Sequence, residues 1–467
     1  MIALPRTRGQ TYAVLGLGRT GLSAAKALAA SGARVLGWDD QAERRSAAAA
    51  AGVPLADLMQ ESFAEIDGLV LSPGIPHRFP KPHPVAVRAR DHGCEILSDL
   101  ELMWRSHPEL RAIGITGTNG KSTTTALISH VLAAAGCEVR TGGNIGLGVL
   151  ALEPGGSTTR YVLELSSYQL ELTPGMRFEI AVLLNISPDH LDRHGGLDGY
   201  VAAKRHIFAN QRAGDVAVVG QDDVWCQAIR DELLAQPAGR TIVAVSAEGA
   251  APGEVSVRDG VLYDERAGGD GRVCDLSAAS SLPGRHNWQN AAAAYAVARA
   301  VGIEAAVIAG ALVTYAGLPH RQEVVARTGH VTFVNDSKAT NVSAACTALD
   351  CYERIYWIAG GQAKGESLAP LASRMGRVQE TFLIGEATES FARDLSPRTL
   401  VSRCGDLATA VARASHAATK DPLPSVILLS PACASFDQFS DFAERGDRFR
   451  QLVLDQIQAL PAAEARS

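Results

Sequence analysis

The sequence predicts an α/β protein of about three domains built on mostly parallel sheets. Three observations carry this. Short apolar runs of strand length alternate with helical stretches along the whole chain. Two of those runs lead into glycine-bearing turns that open a helix, at residues 16–21 and 117–122. The 467 residues also amount to about three domains of roughly 150 residues each.

Composition narrows the function classes. An apolar share of 46% and a charged share of 20% are those of an ordinary globular protein. A net charge of −6 and a pI near 6.1 argue against nucleic acid or an acidic membrane surface as a partner. No apolar run approaches the roughly 18 residues of a membrane span, and the N-terminus runs straight into a glycine turn without a signal-peptide pattern. The eight cysteines are scattered, with no C-x-x-C pair, so Cys346 and Cys351 read as buried fillers in a reducing compartment. A cytoplasmic monomer is expected.

In chain order, Thr11–Leu15 reads as a strand, Gly16-Leu17-Gly18-Arg19-Thr20-Gly21 as a turn and Leu22–Ala30 as a helix. A second strand, Arg34–Trp38, ends at Asp39 and Asp40, which suits a dinucleotide fingerprint with its ribose-binding acid. NAD(P), another nucleotide and a purely structural glycine turn all remain open on this signal. A third strand, Leu69–Ser72, leads to Gly74 and five prolines between Pro73 and Pro84, an extended segment. After a short helix at Asp99–Ser106, the first boundary is set at 99/100.

The strand Ala112–Ile115 then enters Gly117-Thr118-Asn119-Gly120-Lys121-Ser122-Thr123. Backbone N–H groups at such a helix start attract phosphate, the lysine adds positive charge, and the serine can ligate Mg²⁺. Ile115 stands where a full Walker spacing wants glycine, so this is a compact variant. Glu164 ends the apolar strand Tyr161–Leu163, at the sheet edge where ligands bind, and is placed to hold Mg²⁺. His190 follows the strand Ile180–Asn185 between Asp189 and Asp192, equally suited to a metal and to structural hydrogen bonds. Lys204, on a helix from about Leu197 to Asn210, reads from its position as an ordinary surface lysine. A helix at Ala291–Val301 precedes a second boundary at 317/318. Strand candidates at 331–334, 355–359, 381–384 and 426–429 follow. Polar residues at three of their ends (335–341, 360–365 and 430–439) suggest one crevice.

Eight of these stretches together resemble the Mur ligase family of ATP-dependent amino-acid ligases in peptidoglycan assembly. They are residues 117–123, 142–146, 163–171, 187–194, 282–287, 318–323, 335–341 and 430–439, in family order across nearly the whole chain. The last two favour the branch that joins D-glutamate to UDP-N-acetylmuramoyl-L-alanine. The resemblance implies a Rossmann-like UDP-binding domain (1–99), a central P-loop ATPase-type domain (100–317) and a C-terminal Rossmann-like amino-acid-binding domain (318–467). It implies UDP contacts at Arg19, Thr20, Asp39, Asp40, Ser72 and Gly74, and sugar or alanyl contacts at Asn144, Gln169 and His190. ATP is implied at 117–123, Asn287, Asn290, Arg321, Asp336 and Lys338; D-glutamate at Thr340, Lys364, Ser435 and Phe442. Two Mg²⁺ ions are implied at Ser122, Glu164, His190 and Lys204, the last as a carbamate. Lys121, His190, Lys204 and Arg321 are the implied catalytic groups. Asp40 and Gln362 depart from the family pattern, which carries a small hydroxylated residue and an acid there. Closure of the third domain onto the second is expected from substrates that bind different domains. The rival readings are a sibling ligase for another amino acid and an NAD(P)-dependent oxidoreductase.

Overall fold

The computed structural model describes residues 1–236, 239–248, 254–266, 271–279, 281–363 and 365–459. Three sheets follow one another along the chain. In the first, β1 (Thr11–Leu15), β2 (Arg34–Trp38), β3 (Gly68–Leu71) and β4 (Ile96–Leu97) lie parallel in the order β2-β1-β3-β4. The helix after β1 starts at Arg19, three residues before the expected Leu22, because extended Gly18 already acts as its N-cap. Between Pro73 and His83 there is neither helix nor strand, and Pro84 takes the first turn of a helix that runs to Asp91.

The second sheet contains β5 (Arg111–Thr116), β6 (Val139–Gly143), β7 (Arg160–Glu164), β8 (Ile180–Leu183), β9 (Val216–Gly220), β10 (Thr241–Ser246), β11 (Val255–Arg258), β12 (Val261–Asp264) and β13 (Gly271–Asp275). Their order is β13-β12-β11-β10-β9-β8-β5-β7-β6. Pairing is parallel from β6 to β11 and antiparallel over β11-β12-β13. The chain leaves β5 for β6 and β7 on one side, then returns to its other side at β8. Strand β5 is therefore a topological switch point, where the carboxyl ends leave a crevice.

The third sheet holds β14 (Glu323–Thr328), β15 (Val331–Asn335), β16 (Ile355–Gly360), β17 (Val378–Ile384), β18 (Leu400–Gly405) and β19 (Ser425–Leu429), ordered β14-β15-β19-β16-β17-β18. Only β14 is antiparallel to its neighbour. The strands expected from sequence are the buried ones. Strands β14 and β18 lack an apolar run because most of their residues are half-buried or exposed.

The chain gathers into two compact units, Met1–Leu276 with Asn287–Val313, and Ser277–His286 with Thr314–Ser467. In the first unit, one core runs under both sheets. It joins Val14 and Leu28 to Leu163 and Phe178 through Met103 and Trp104 of the helix Asp99–Ser106. That helix is a packed core element, and Ser98 before it shares a 2.8 Å hydrogen bond with Thr173. In the second unit, alternation along β16 sends Trp357 to a core with Phe391, and Tyr356 and Ile358 to another with Phe382 and Phe449.

A Cβ added at Gly114 on β5 would lie 2.6 Å from the Phe178 ring. Gly114→Ala is expected to lower unfolding stability by about 1–3 kcal/mol through overpacking, read by urea denaturation.

Candidate active site

The glycine loop closes β5 and opens the helix Lys121–Ala134. Gly120 is its N-cap in the left-handed region, at φ 83°, and a Cβ there would lie 2.3 Å from Asn290 Oδ1. The loop is tied to the end of β8. Thr118 N–H donates to the Asn185 carbonyl at 2.9 Å, and Asn119 N–H to Asn185 Oδ1 at 2.9 Å. Thr118 Oγ1 lies 3.0 Å from the Tyr200 hydroxyl and accepts from Ser187 N–H at 3.0 Å. Asn290 accepts from Thr124 Oγ1 at 3.0 Å and donates to Asn287 Oδ1 at 3.1 Å, so both asparagines brace the loop's helix.

Two lysines converge on one carbonyl. Lys121 Nζ donates to Gly117 O at 2.9 Å and to Thr118 O at 2.7 Å, while Lys204 Nζ donates to Gly117 O at 2.7 Å. Lys204 is only 1% exposed, with its Nζ 4.7 Å from the Tyr200 ring centroid. The surface reading of this lysine is thus corrected: the apolar side of the helix Leu197–Arg205 turns it inward, with Tyr200 and Ala203. Burial, reinforced by the nearby Lys121 charge, pushes its pKa well below that of an ordinary lysine.

Glu164 is buried at the end of β7. Its Oε1 accepts from Asn144 Nδ2 at 2.8 Å, and its Oε2 has no hydrogen-bond partner among the described residues. The close approach is possible because residue 143 is glycine, at φ 101°; a Cβ there would meet the Glu164 carbonyl at 2.3 Å. A buried carboxylate oxygen without a proton donor suits a hard cation. His190 stands more apart, exposed at φ 51°, with Nε2 3.5 Å from Asp189 Oδ2 and its ring 5.3 Å from that of Tyr168. Gln169 is buried, and its Oε1 is held by Ser166 in a capping box.

On the first sheet, the residues expected at UDP lie at the adjacent carboxyl ends of β2, β1 and β3. Asp39 is taken up by the turn, accepting from Leu17 N–H at 2.7 Å and Gln41 N–H at 2.9 Å. Ser72 Oγ donates to Gly16 O at 2.8 Å. Asp40 is exposed and pairs with His83 at 3.0 Å. Arg19 and Gly74 are exposed, and Thr20 half-buried.

In the second unit, β15, β19 and β16 are neighbours, so the three polar strand ends share one edge, as the sequence suggests. Gln362 N–H donates to Ala434 O at 2.9 Å, tying two of the loops together. Arg445, which no sequence signal singled out, is 1% exposed and binds Ser337 Oγ at 3.0 Å and the Cys433 and Ala434 carbonyls at 3.2 and 3.3 Å. A helical arginine normally looks solvated, and nothing around it in sequence says otherwise. Lys338 Nζ lies 3.9 Å from the Phe442 ring centroid. Ser435 is buried, Thr340 half-buried, and Lys364 lies outside the described residues. Arg321 is half-buried, and its charge acts on Asp336.

Strand, anion-binding loop and helix at a switch point, flanked by a buried acid and a buried lysine, define an α/β enzyme handling nucleotide phosphates. Comparison with known proteins narrows the class. A model described as the Mur ligase middle domain matches residues 115–298, and one described as the Mur ligase MurD-like N-terminal domain matches residues 10–98. The UDP-N-acetylmuramoylalanine–D-glutamate ligase of Caulobacter sp. strain K31 is 51% identical over 97% of this chain and 98% of its own. The protein of that name from Rhodospirillum rubrum is 49% identical over 99% and 98%. In fold, the UDP-N-acetylmuramate–alanine ligase of Thermotoga maritima superposes with a TM-score of 0.58 at 18% identity, covering 96% of this chain and 99% of that one. The chain belongs to the Mur ligase family and is an ATP-dependent amide bond-forming ligase. No helix among the described residues is long and apolar enough to cross a membrane.

Asp336 gives a pH test. Burial pushes its pKa from 3.8 up to about 7, against the hydrogen bonds from Ser430 Oγ and Gln322 N–H. The folded state therefore keeps a proton that the unfolded chain releases, and this contribution to stability falls as pH rises from about 4 to about 7. Asp336→Asn is expected to gain in melting temperature over the parent at pH 8, with the gain shrinking towards pH 4.

Proposed function

We propose that the enzyme joins D-glutamate to UDP-N-acetylmuramoyl-L-alanine at the expense of ATP. An oxygen of the alanyl carboxylate attacks the γ-phosphorus, the bond to ADP breaks, and an acyl phosphate results. The D-glutamate amine then attacks the acyl carbon, phosphate departs with its bridging oxygen, and the amine loses a proton. The names and near-complete coverage of the relatives support this substrate pair. The observation that carries the chemistry is the glycine loop with Lys121, Lys204 and the uncommitted Glu164 oxygen at its side.

Lys121 is proposed to turn its ammonium to the β- and γ-phosphates, with Ser122 and the loop N–H groups beside it. Glu164, Ser122, His190 and carbamylated Lys204 are the proposed holders of two Mg²⁺ ions, which supply charge neutralisation on the phosphates. Buried with a depressed pKa, Lys204 presents a neutral amine that can attack CO₂, forming a C–N bond and releasing a proton. The product is an anionic oxygen where an ammonium would repel the metal. Asn287, Asn290, Arg321, Asp336 and Lys338 are proposed for ATP, with Arg321 also stabilising charge in transfer. Thr340, Lys364, Ser435 and Phe442 are proposed for D-glutamate. Asn144 and Gln169 are proposed for the sugar-peptide, and Arg19, Thr20, Asp39, Asp40, Ser72 and Gly74 for UDP. This division of labour corresponds to domains at 1–99, 100–317 and 318–467.

Phosphate release dependent on both UDP-N-acetylmuramoyl-L-alanine and D-glutamate tests the reaction; release with another amino acid in its place would move the assignment to a sibling. Lys121→Ala is expected to lower kcat about 10²–10³-fold with the melting temperature preserved; near-normal turnover would remove the loop from catalysis. For Lys204→Ala, a loss of similar size is expected, partly restored by a small added carboxylate. The parent, but not this variant, should show a carbamate ¹³C resonance after incubation with labelled bicarbonate.

A further inference from the structure

The region after the proposed metal residues carries an arrangement that the mechanism above does not use. Ser167 Oγ and His194 Nε2 are 2.9 Å apart, and His194 Nδ1 is 2.8 Å from Glu171 Oε1. Serine, histidine and carboxylate here share the connectivity of a hydrolytic triad. Ser167, however, is 3% exposed, and the His194 side chain has no exposed surface, so no substrate reaches the hydroxyl. What remains of the triad is its orienting half. A carboxylate can only accept, so Nδ1 carries a proton in either charge state of the ring, and the imidazole is fixed in tautomer and direction.

The two anchors, Ser167 and Glu171, stand one turn apart on the helix Ser167–Glu171, which also carries Gln169. His194 is thus clamped to that helix at both nitrogens. Its ring stacks on Tyr168 at 5.3 Å and 18°, and meets Tyr200 at 5.4 Å and 57°. Tyr200 in turn reaches the glycine loop at Thr118 Oγ1 and packs under Lys204. A continuous chain of rings and hydrogen bonds therefore links the Gln169 helix to the loop that would hold the phosphates.

We propose that His194 is a positioning residue that sets the register between the Gln169 helix and the glycine loop. This rests on the reading in which that helix meets the sugar-peptide substrate. Acyl phosphate formation needs the carboxylate oxygen in line with the γ-phosphorus at near-contact distance, and a displacement of about 1 Å can cost about 10²-fold in rate. Misregister penalises the chemical step while each substrate still finds its own half of the site intact. Loss of His194 accordingly falls on kcat and leaves KM largely alone.

His194→Phe keeps a ring and removes both hydrogen bonds. Ligation kinetics with ATP, UDP-N-acetylmuramoyl-L-alanine and D-glutamate are expected to show kcat down by about 10²-fold, with all three KM values within about threefold of the parent. Calorimetric affinity for MgADP is expected to be unchanged. Ser167→Ala removes one end of the clamp with the histidine in place, and serves if His194→Phe does not fold; a smaller loss, again confined to kcat, is expected. Folded variants with parental kcat, or a change confined to KM, would overturn the positioning role. A parent enzyme inactive on this substrate set would instead overturn the substrate reading on which the proposal rests.

Discussion

The carbonyl oxygen of Gly117 is the point on which the glycine loop and the residues packed around it depend. Two lysine nitrogens donate to it, from Lys121 in the loop itself and Lys204 on a later helix. Two ammonium ions so close together, one of them fully buried, oppose each other strongly. Lys121 keeps access to solvent, whereas burial first, and the Lys121 charge second, lower the Lys204 pKa well below that of an ordinary lysine. The surrounding architecture makes that outcome specific. Strand β5 delivers the loop at the switch point, Asn185 at the end of β8 fixes its height, and Tyr200 closes over the buried amine. Without the switch, β7 and β8 would not flank β5, and Asn185 would not reach the loop.

The second unit solves a buried-charge problem differently. Arg445 keeps its burial tolerable by donating to Ser337 and to the carbonyls of Ser337, Cys433 and Ala434. These acceptors belong to two of the three loops at the shared strand edge, so the guanidinium acts as an internal rivet. Asp336 has fewer donors, Ser430 Oγ and Gln322 N–H among the described residues, and burial wins over them. Burial also lowers Arg445, to about 10, but a guanidinium starts from so high a value that it stays charged at neutral pH, whereas the same cost moves the Asp336 carboxyl into the neutral range.

Much of this was readable from sequence where local pattern and chemistry agree. Strands such as β1, β5, β8 and β16, the glycine loop, the proline-rich segment and the helix Asp99–Ser106 follow from residue type and spacing, whereas β9 and β10, though apolar and buried, are not among the strands expected from sequence. Strands β14 and β18 do not, because they are not fully buried and tertiary pairing fixes them. Glu164 was legible from its strand end. Lys204 was not legible from position, since a lone lysine on a helix announces nothing about which way it faces; only the family resemblance pointed to it. Tyr200, His194 and Arg445 escaped for a related reason. Their importance lies in partners 27 to 108 residues away, and no local spacing encodes those contacts.

At the carboxyl edge of the first sheet, side chains are engaged in holding the turn itself. Asp39 spends both carboxylate oxygens on backbone N–H groups of Leu17 and Gln41, and Ser72 spends its hydroxyl on Gly16. Each shapes the turn after β1, which leaves the loop's own N–H groups and the helix start at Arg19 as the anion-attracting features. The acid at the end of β2 therefore holds the turn, where a dinucleotide site would aim its acid at a ribose. Asp40, beside it, is the carboxylate that remains exposed, and its partner His83 comes from the proline-rich segment after β3. That segment thereby sets the direction of the exposed carboxylate.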